Sequence, residues 1–326
     1  MPPSPPDPPR SKTVNTQPTP VEAFHAGERA LQAEDGVREQ LAMVGTRVIR
    51  DDMPQQHRDF FAQLPFLVLG SVDAQDQPWA SLLAGAPGFV QAPDGRALRV
   101  DALPAADDPL AATLLPGAPL GVLGIELPTR RRNRMNGTVS TLDAAGFTIA
   151  VQQSFGNCPR YIQTRTPTVV PVATHPEPER LARLDAEALR LIAGADTFFI
   201  ATAHPAAGHG AARDEGVDVS HRGGAPGFVL ALGEKELAVP DFDGNRFFNT
   251  LGNLLLQPAA GLLFIDFERG DLLHVRVRGH IETGGAVMAR MPPVERWLRF
   301  EVTGALRRRA ALPLRWGPAT LSPYLP

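Results

Sequence analysis

The chain has 326 residues, which suits two cores of about 150 residues each better than one. Its formal charge of −3 and its two tyrosines supply neither the basic field nor the stacking surface expected of a nucleic-acid binder. The single cysteine, Cys158, excludes an internal disulfide and, with only scattered histidines, a zinc centre, which points to a reducing, cytoplasmic setting.

Met1 to Pro20 is rich in Pro, Ser and Thr and lacks the apolar stretch of a signal peptide, so it is expected to be a disordered tail. Further along, no apolar run is long enough to cross a membrane. Residues 24–45 read as one helix, with Leu31, Val37, Leu41 and Val44 at helical spacing. A second short helix is expected over 54–64, with Asp51 or Asp52 as its N-cap. Strands follow at 66–71, 79–83, 97–100, 121–127 and 146–152, with a helix at 107–115 among them. Short strands at this density predict barrels or sandwiches rather than βαβ units.

The sequence also repeats itself. Gly85-Ala86-Pro87-Gly88-Phe89-Val90 recurs letter for letter as Gly224-Ala225-Pro226-Gly227-Phe228-Val229, an offset of 139. At that offset Ser81 meets Ser220, Leu98 meets Leu237 and Val100 meets Val239; Gly121 to Ile125 aligns with Gly261 to Ile265 at 140. Helices at 54–64 and 178–193 precede the first strand of each copy. The expected organisation is a tail over 1–20, a first barrel over 21–170 and a second over 171–326, with a Pro-rich linker between 166 and 178.

The second copy carries a candidate anion site. Asp218-Val219-Ser220-His221-Arg222 ends a strand at a Gly-rich turn. A later strand containing Ala238 and Val239 leads to Gly244-Asn245-Arg246 and a helix bearing Asn249, Thr250 and Asn253. Guanidinium groups beside a helix N-terminus suit a phosphate.

These segments, with Phe24-His-Ala-Gly-Glu28, Thr129-Arg-Arg-Arg-Asn-Arg134 and Gln153-Ser-Phe-Gly-Asn-Cys-Pro-Arg-Tyr161, resemble the FMN-binding split barrels related to pyridoxamine 5′-phosphate oxidase, in their tandem form. The resemblance implies a mainly β fold with flanking helices, built as two tandem split β-barrels. It implies FMN at the barrel interface, held by Asp218, Val219, Ser220, His221, Arg222, Ala238, Val239, Asn245, Arg246, Asn249 and Asn253, with Cys158 and Tyr161 from the first copy. Arg130 to Arg134, Asn136, Asn157 and Arg160 are further candidates for that opposite wall. The fused copies form a pseudo-dimer that can dimerise further.

The first copy departs from the pattern. Leu83 stands where Arg222 does, and Asp107-Asp108 follow in place of Gly-Asn-Arg, so one FMN per chain is expected. An oxidoreductase acting on a small molecule, a non-catalytic flavin carrier or sensor, and a haem-binding barrel all remain open. No residue identifies itself as a catalytic acid or base. No nucleophile elbow, P-loop or dinucleotide fingerprint is present.

Overall fold

A computed structural model of the chain describes residues 22–171, 176–283 and 294–325; the expected tail lies outside them. Two helices, α1 (Ala26–Glu34) and α2 (Arg38–Val48), replace the single helix expected over 24–45. They are separated by a Schellman turn. Gly36 N–H donates to Ala33 O at 3.1 Å and Val37 N–H to Gln32 O at 2.9 Å, with Gly36 at φ 69°, where glycine alone is unstrained. A capping box opens α1: the His25 ring accepts from Gly27 N–H, and Glu28 accepts from His25 N–H at 2.8 Å. Helix α3 (Gln55–Ala62) starts at Pro54, and neither Asp51 nor Asp52 caps it.

The first sheet comprises β1 (Phe66–Val72), β2 (Pro78–Ala84), β3 (Val90–Asp94), β4 (Ala97–Val100), β5 (Pro119–Glu126), β6 (Arg131–Leu142) and β7 (Phe147–Gly156), with helix α4 (Pro109–Thr113) between β4 and β5. Next come β8 (Pro167–Val169), β9 (Glu179–Leu181) and α5 (Ala186–Gly194). The last of these is shorter than expected, because Asp185 caps it by accepting Ala188 N–H at 2.8 Å and Leu181 belongs to β9. The second sheet holds β10 (Thr197–Ala203), β11 (Val217–Gly223), β12 (Leu230–Gly233), β13 (Glu236–Asp241), β14 (Ala259–Ile265), β15 (Leu272–Glu282) and β16 (Arg296–Arg308). Helix α6 (Asn249–Leu256) lies between β13 and β14, and β17 (Leu314–Trp316) pairs with β8.

Strand order is β2-β1-β5-β6-β7-β4-β3 in the first sheet and β11-β10-β14-β15-β16-β13-β12 in the second, where β9 also pairs with β16. Position by position these are the same order. The fold is mainly β, with two tandem split barrels and flanking helices, and every neighbouring pair of strands is antiparallel.

Period-two alternation explains how the barrels are filled and joined. Leu67 and Leu69 of β1 face the first barrel's core, while Phe66 and Val68 face the seam. In β10, Phe198 and Ile200 fill the second core while Phe199 and Ala201 meet the seam. With both faces covered, these strands read as unbroken apolar runs. The seam repeats its contacts about a pseudo-two-fold axis. Gly121 of β5 lies under the backbone of β11, where an added Cβ would stand 2.6 Å from Val217 O. Gly261 of β14 lies in the same way under Pro78 and Trp79 of β2.

Candidate functional site

One end of the seam opens into a cavity of about 140 Å³. The first barrel supplies Arg132 and Arg134 from β6 and residues 157–161 after β7. The second supplies Ser220, His221 and Arg222 from β11, the 240–246 turn and the start of α6. Arg132 and Arg134 share a face of β6 because they are two residues apart on a strand. The residue before α6, Phe248, has φ 64°, and no side chain caps the helix. Two more cavity residues with non-glycine side chains have positive φ, Tyr161 at 64° and Arg246 at 56°. Such strained backbone clusters where a fold is shaped around a ligand.

Cations dominate the wall. Arg134 donates to Asp218 Oδ1 at 2.9 Å and to Ser220 Oγ. Arg222 donates to Asp241 at 2.6 Å. Arg160 reaches Asp243 at 3.0 Å, and Arg246 shares that carboxylate at 3.4 Å. Arg132 differs from all of these. It donates to Cys158 O at 2.7 Å and His221 O at 3.4 Å, and among the described residues no carboxylate pairs with it. Burial, then the nearby Arg134 and Arg222, lower its pKa to about 10, so it stays charged at neutral pH. The buried Nε atoms of Arg134 and Arg222 also lack acceptors. An unneutralised guanidinium beside unsatisfied donors, in a cleft at an uncapped helix start, fits an anionic group such as a phosphate.

The structure gathers Ser220, His221, Arg222, Asn245, Arg246, Asn249, Cys158 and Tyr161 around this cavity. It turns the side chains of five other expected residues elsewhere. Asp218 is buried and accepts from Arg134, from Asn136 at 2.9 Å and from Asn253 at 3.1 Å, so its carboxylate anchors the seam. Asn253 is fully buried between Asp218 and Thr202. Val219 packs in the seam core, Val239 packs in the second barrel's core, and Ala238 is fully buried in β13. His221 contributes its carbonyl, while its ring stands edge-on to Phe199 and is held neutral by burial and by Arg132 and Arg222. Arg222 and Arg246 reach the cavity, but each already faces an aspartate. Residues not anticipated here include Asp35, Asp241, Phe242, Asp243 and Arg296. Tyr161 and Phe242 meet ring to ring at 5.2 Å, and Tyr161 Oη donates to Asp243 O at 3.0 Å. Together with Arg160 and Asp243 they clasp the two barrels over the cavity mouth.

The pseudo-equivalent position at the other end of the seam is plugged. Ser81 takes the place of Ser220, and His274, which pairs with Leu263 as Arg134 does with Leu123, takes the place of Arg134. Arg308, from β16, reaches into this end. It donates to Asp108 and to Asp107, each at 2.6 Å, and Ser81 donates to the same Asp108 at 2.6 Å. Arg308 and Asp108 are buried, so the Arg307–Arg309 run is an ion-paired element rather than a solvated face.

Buried imidazoles line the seam and its flanks. Burial lowers the pKa of His25 to about 4 and also depresses those of His57, His221 and His274. Below the unfolded value of 6.5, the unfolded chain takes up protons that these native histidines refuse, so stability falls as pH drops. For His25 alone the loss between the two values is on the order of 3 kcal/mol. Thermal melts are expected to show a falling midpoint from pH 6.5 to pH 4; a midpoint that is flat or rises toward pH 4 contradicts this.

The seam-spanning cavity and the two matching sheets define a tandem split-barrel protein with an arginine-lined interdomain site. Residues 53–192 match the pyridoxamine 5′-phosphate oxidase family. That match spans less than half of the chain, and over it the chain is similar to the pyridoxamine 5′-phosphate oxidase-related proteins. Solved structures similar to it include HupZ of group A Streptococcus, at 16% identity, 37% of this chain, 91% of that one and TM-score 0.29. An FMN-binding protein of Syntrophomonas wolfei matches at 14% identity, 36% and 80% coverage and TM-score 0.27. The inhibitor of motility of Bacillus subtilis matches at 9% identity, 73% and 87% coverage and TM-score 0.19. The sequence matches none of the curated proteins.

Proposed function

We propose that the chain is an FMN-binding flavoprotein, an oxidoreductase acting on a small molecule, with one FMN in the seam cavity. The observation that carries this reading is Arg132, a cation without a carboxylate partner among the described residues, set beside Arg134 and Arg222 where two barrels meet. The phosphate would lie among Arg222, Arg246, Arg132 and the start of α6, and Tyr161 and Cys158 would border the flavin. Bound FMN supplies the redox chemistry; the chain's residues hold and orient it. A whole flavin is larger than the cavity, so the clasp must part. Its contacts, Arg160–Asp243 and Arg246–Asp243, are exposed ion pairs of the kind that yield readily.

Mass spectrometry of ligand released from native protein is expected to find FMN at one per chain, because the twin position is filled by Arg308 and its aspartates. Two per chain, or a different ligand, contradicts the reading. Replacing Arg222 and Arg246 together with alanine is expected to abolish retention, and full occupancy in that variant refutes the phosphate assignment. Anaerobic bleaching by NAD(P)H separates an enzyme from a carrier.

A further inference from the structure

Helix α1 lies outside both sheets, yet its polar side chains reach the residues that shape the cavity. Glu28 accepts from the Asn249 side chain. Gln32 donates to Phe247 O at 3.3 Å. Asp35 pairs with Arg296, whose guanidinium lies 5.2 Å from the Phe248 ring. Just before the helix, Phe24 packs edge-on against Phe247 at 5.3 Å. Backbone contact locks the crossing: a Cβ on Gly252 of α6 would stand 2.6 Å from Glu28 N, and one on Gly27 would meet Gly252 O. Four consecutive residues, Phe248 to Leu251, line the back of the cavity where α6 starts; α1 engages Asn249 directly, Phe248 through Arg296, and the residue just before them, Phe247, through Gln32. This stretch needs outside support, since Arg246 and Phe248 both hold positive φ and no side chain caps the helix.

We infer that α1 is the positioning element of the ligand cavity, and that Glu28 is a positioning residue acting through Asn249. The inference rests on the flavin reading above for the identity of the ligand, but not for the brace itself. Glu28 does not itself line the cavity; through its contact with Asn249 it sets where that residue and the first turn of α6 stand. Burial, then the nearby Asp218, raise the Glu28 pKa, which favours the uncharged carboxyl. A glutamine is therefore a fair substitute: its oxygen can accept from His25 N–H, and its amide can donate to Asn249 once that side-chain amide turns over.

The test compares Glu28→Ala and Glu28→Gln by FMN fluorescence titration and by amide hydrogen exchange. Glu28→Ala is expected to weaken FMN binding about tenfold or more, as loss of an orienting partner does, and to speed exchange at 247–251 while the strands of both sheets keep their protection. Glu28→Gln is expected to stay within about threefold of the parent. If Glu28→Ala proves too unstable to purify, Asn249→Ala is measured alone and combined with Glu28→Gln; the two changes should not add. FMN affinity unchanged in Glu28→Ala, or exchange that rises evenly over both sheets, overturns the inference. Failure of the parent protein to take FMN refutes the flavin reading instead, and the local exchange pattern then still decides whether α1 braces α6.

Discussion

Arg132→Met is expected to weaken FMN binding by about a hundredfold or more while leaving the melting temperature of the protein without added ligand unchanged or higher. Two features make this residue unusual. Its charge is partly withdrawn from water beside Arg134 and Arg222, and its only described partners are the carbonyls of Cys158 and His221. A cation held in that way lowers the stability of its surroundings and raises their affinity for an anion. Methionine keeps the stem's packing and removes the charge. Titration by flavin fluorescence quenching, paired with thermal melts, reads both effects. A variant that binds FMN as tightly as the parent contradicts the assignment. A fall of many degrees in the melt would make Arg132 a structural residue instead.

The second large effect comes from the two glycines under the seam. Gly121→Ala places a methyl group 2.6 Å from Val217 O, and Gly261→Ala drives one into Pro78 O. The obstacle in each case is main chain, which cannot rotate away, so each change should cost about 1–3 kcal/mol in urea unfolding. Their functional effects should differ. Gly121 presses on β11, whose Asp218 and Ser220 hold Arg134 at the cavity wall, so its substitution should cut FMN affinity sharply. Gly261 presses on β2, on the plugged side, and its substitution should leave affinity near the parent value. Equal losses of affinity would show that the seam transmits strain evenly and that the cavity has no privileged side.

The repeat was legible because six identical letters sit in a turn whose flanking strands also align, and both sheets have that turn in the same place. The order of strands was not. The pairings of β1 with β5 and β4 with β7 join segments far apart in sequence, and local pattern carries no trace of them. At the site, Arg222 and Arg246 were conspicuous beside glycines, but Asp241 and Asp243 in the same stretch were not read as their partners. Arg132 and Arg134 were obscured by their neighbours. Arg131 and Asn133 alternate with them, and Arg131 points the other way, 5.0 Å from the Phe60 ring. Read at a spacing of two, Arg132, Arg134 and Asn136 form one polar stripe on one face of a strand. The contribution of α1 had no local signal, because its partners lie more than 200 residues away, as with Gln32 and Phe247.

The lock formed by Arg308, Asp107 and Asp108 has a consequence for how this molecule responds to concentration. A symmetric dimer of such barrels has two equal berths, and filling one can alter the other. Here the second berth is closed by the chain's own side chains, so a bound molecule has no counterpart within its own chain to influence. Saturation should follow a simple hyperbola with a Hill coefficient of about 1, and occupancy should track ligand supply in graded fashion, without a threshold.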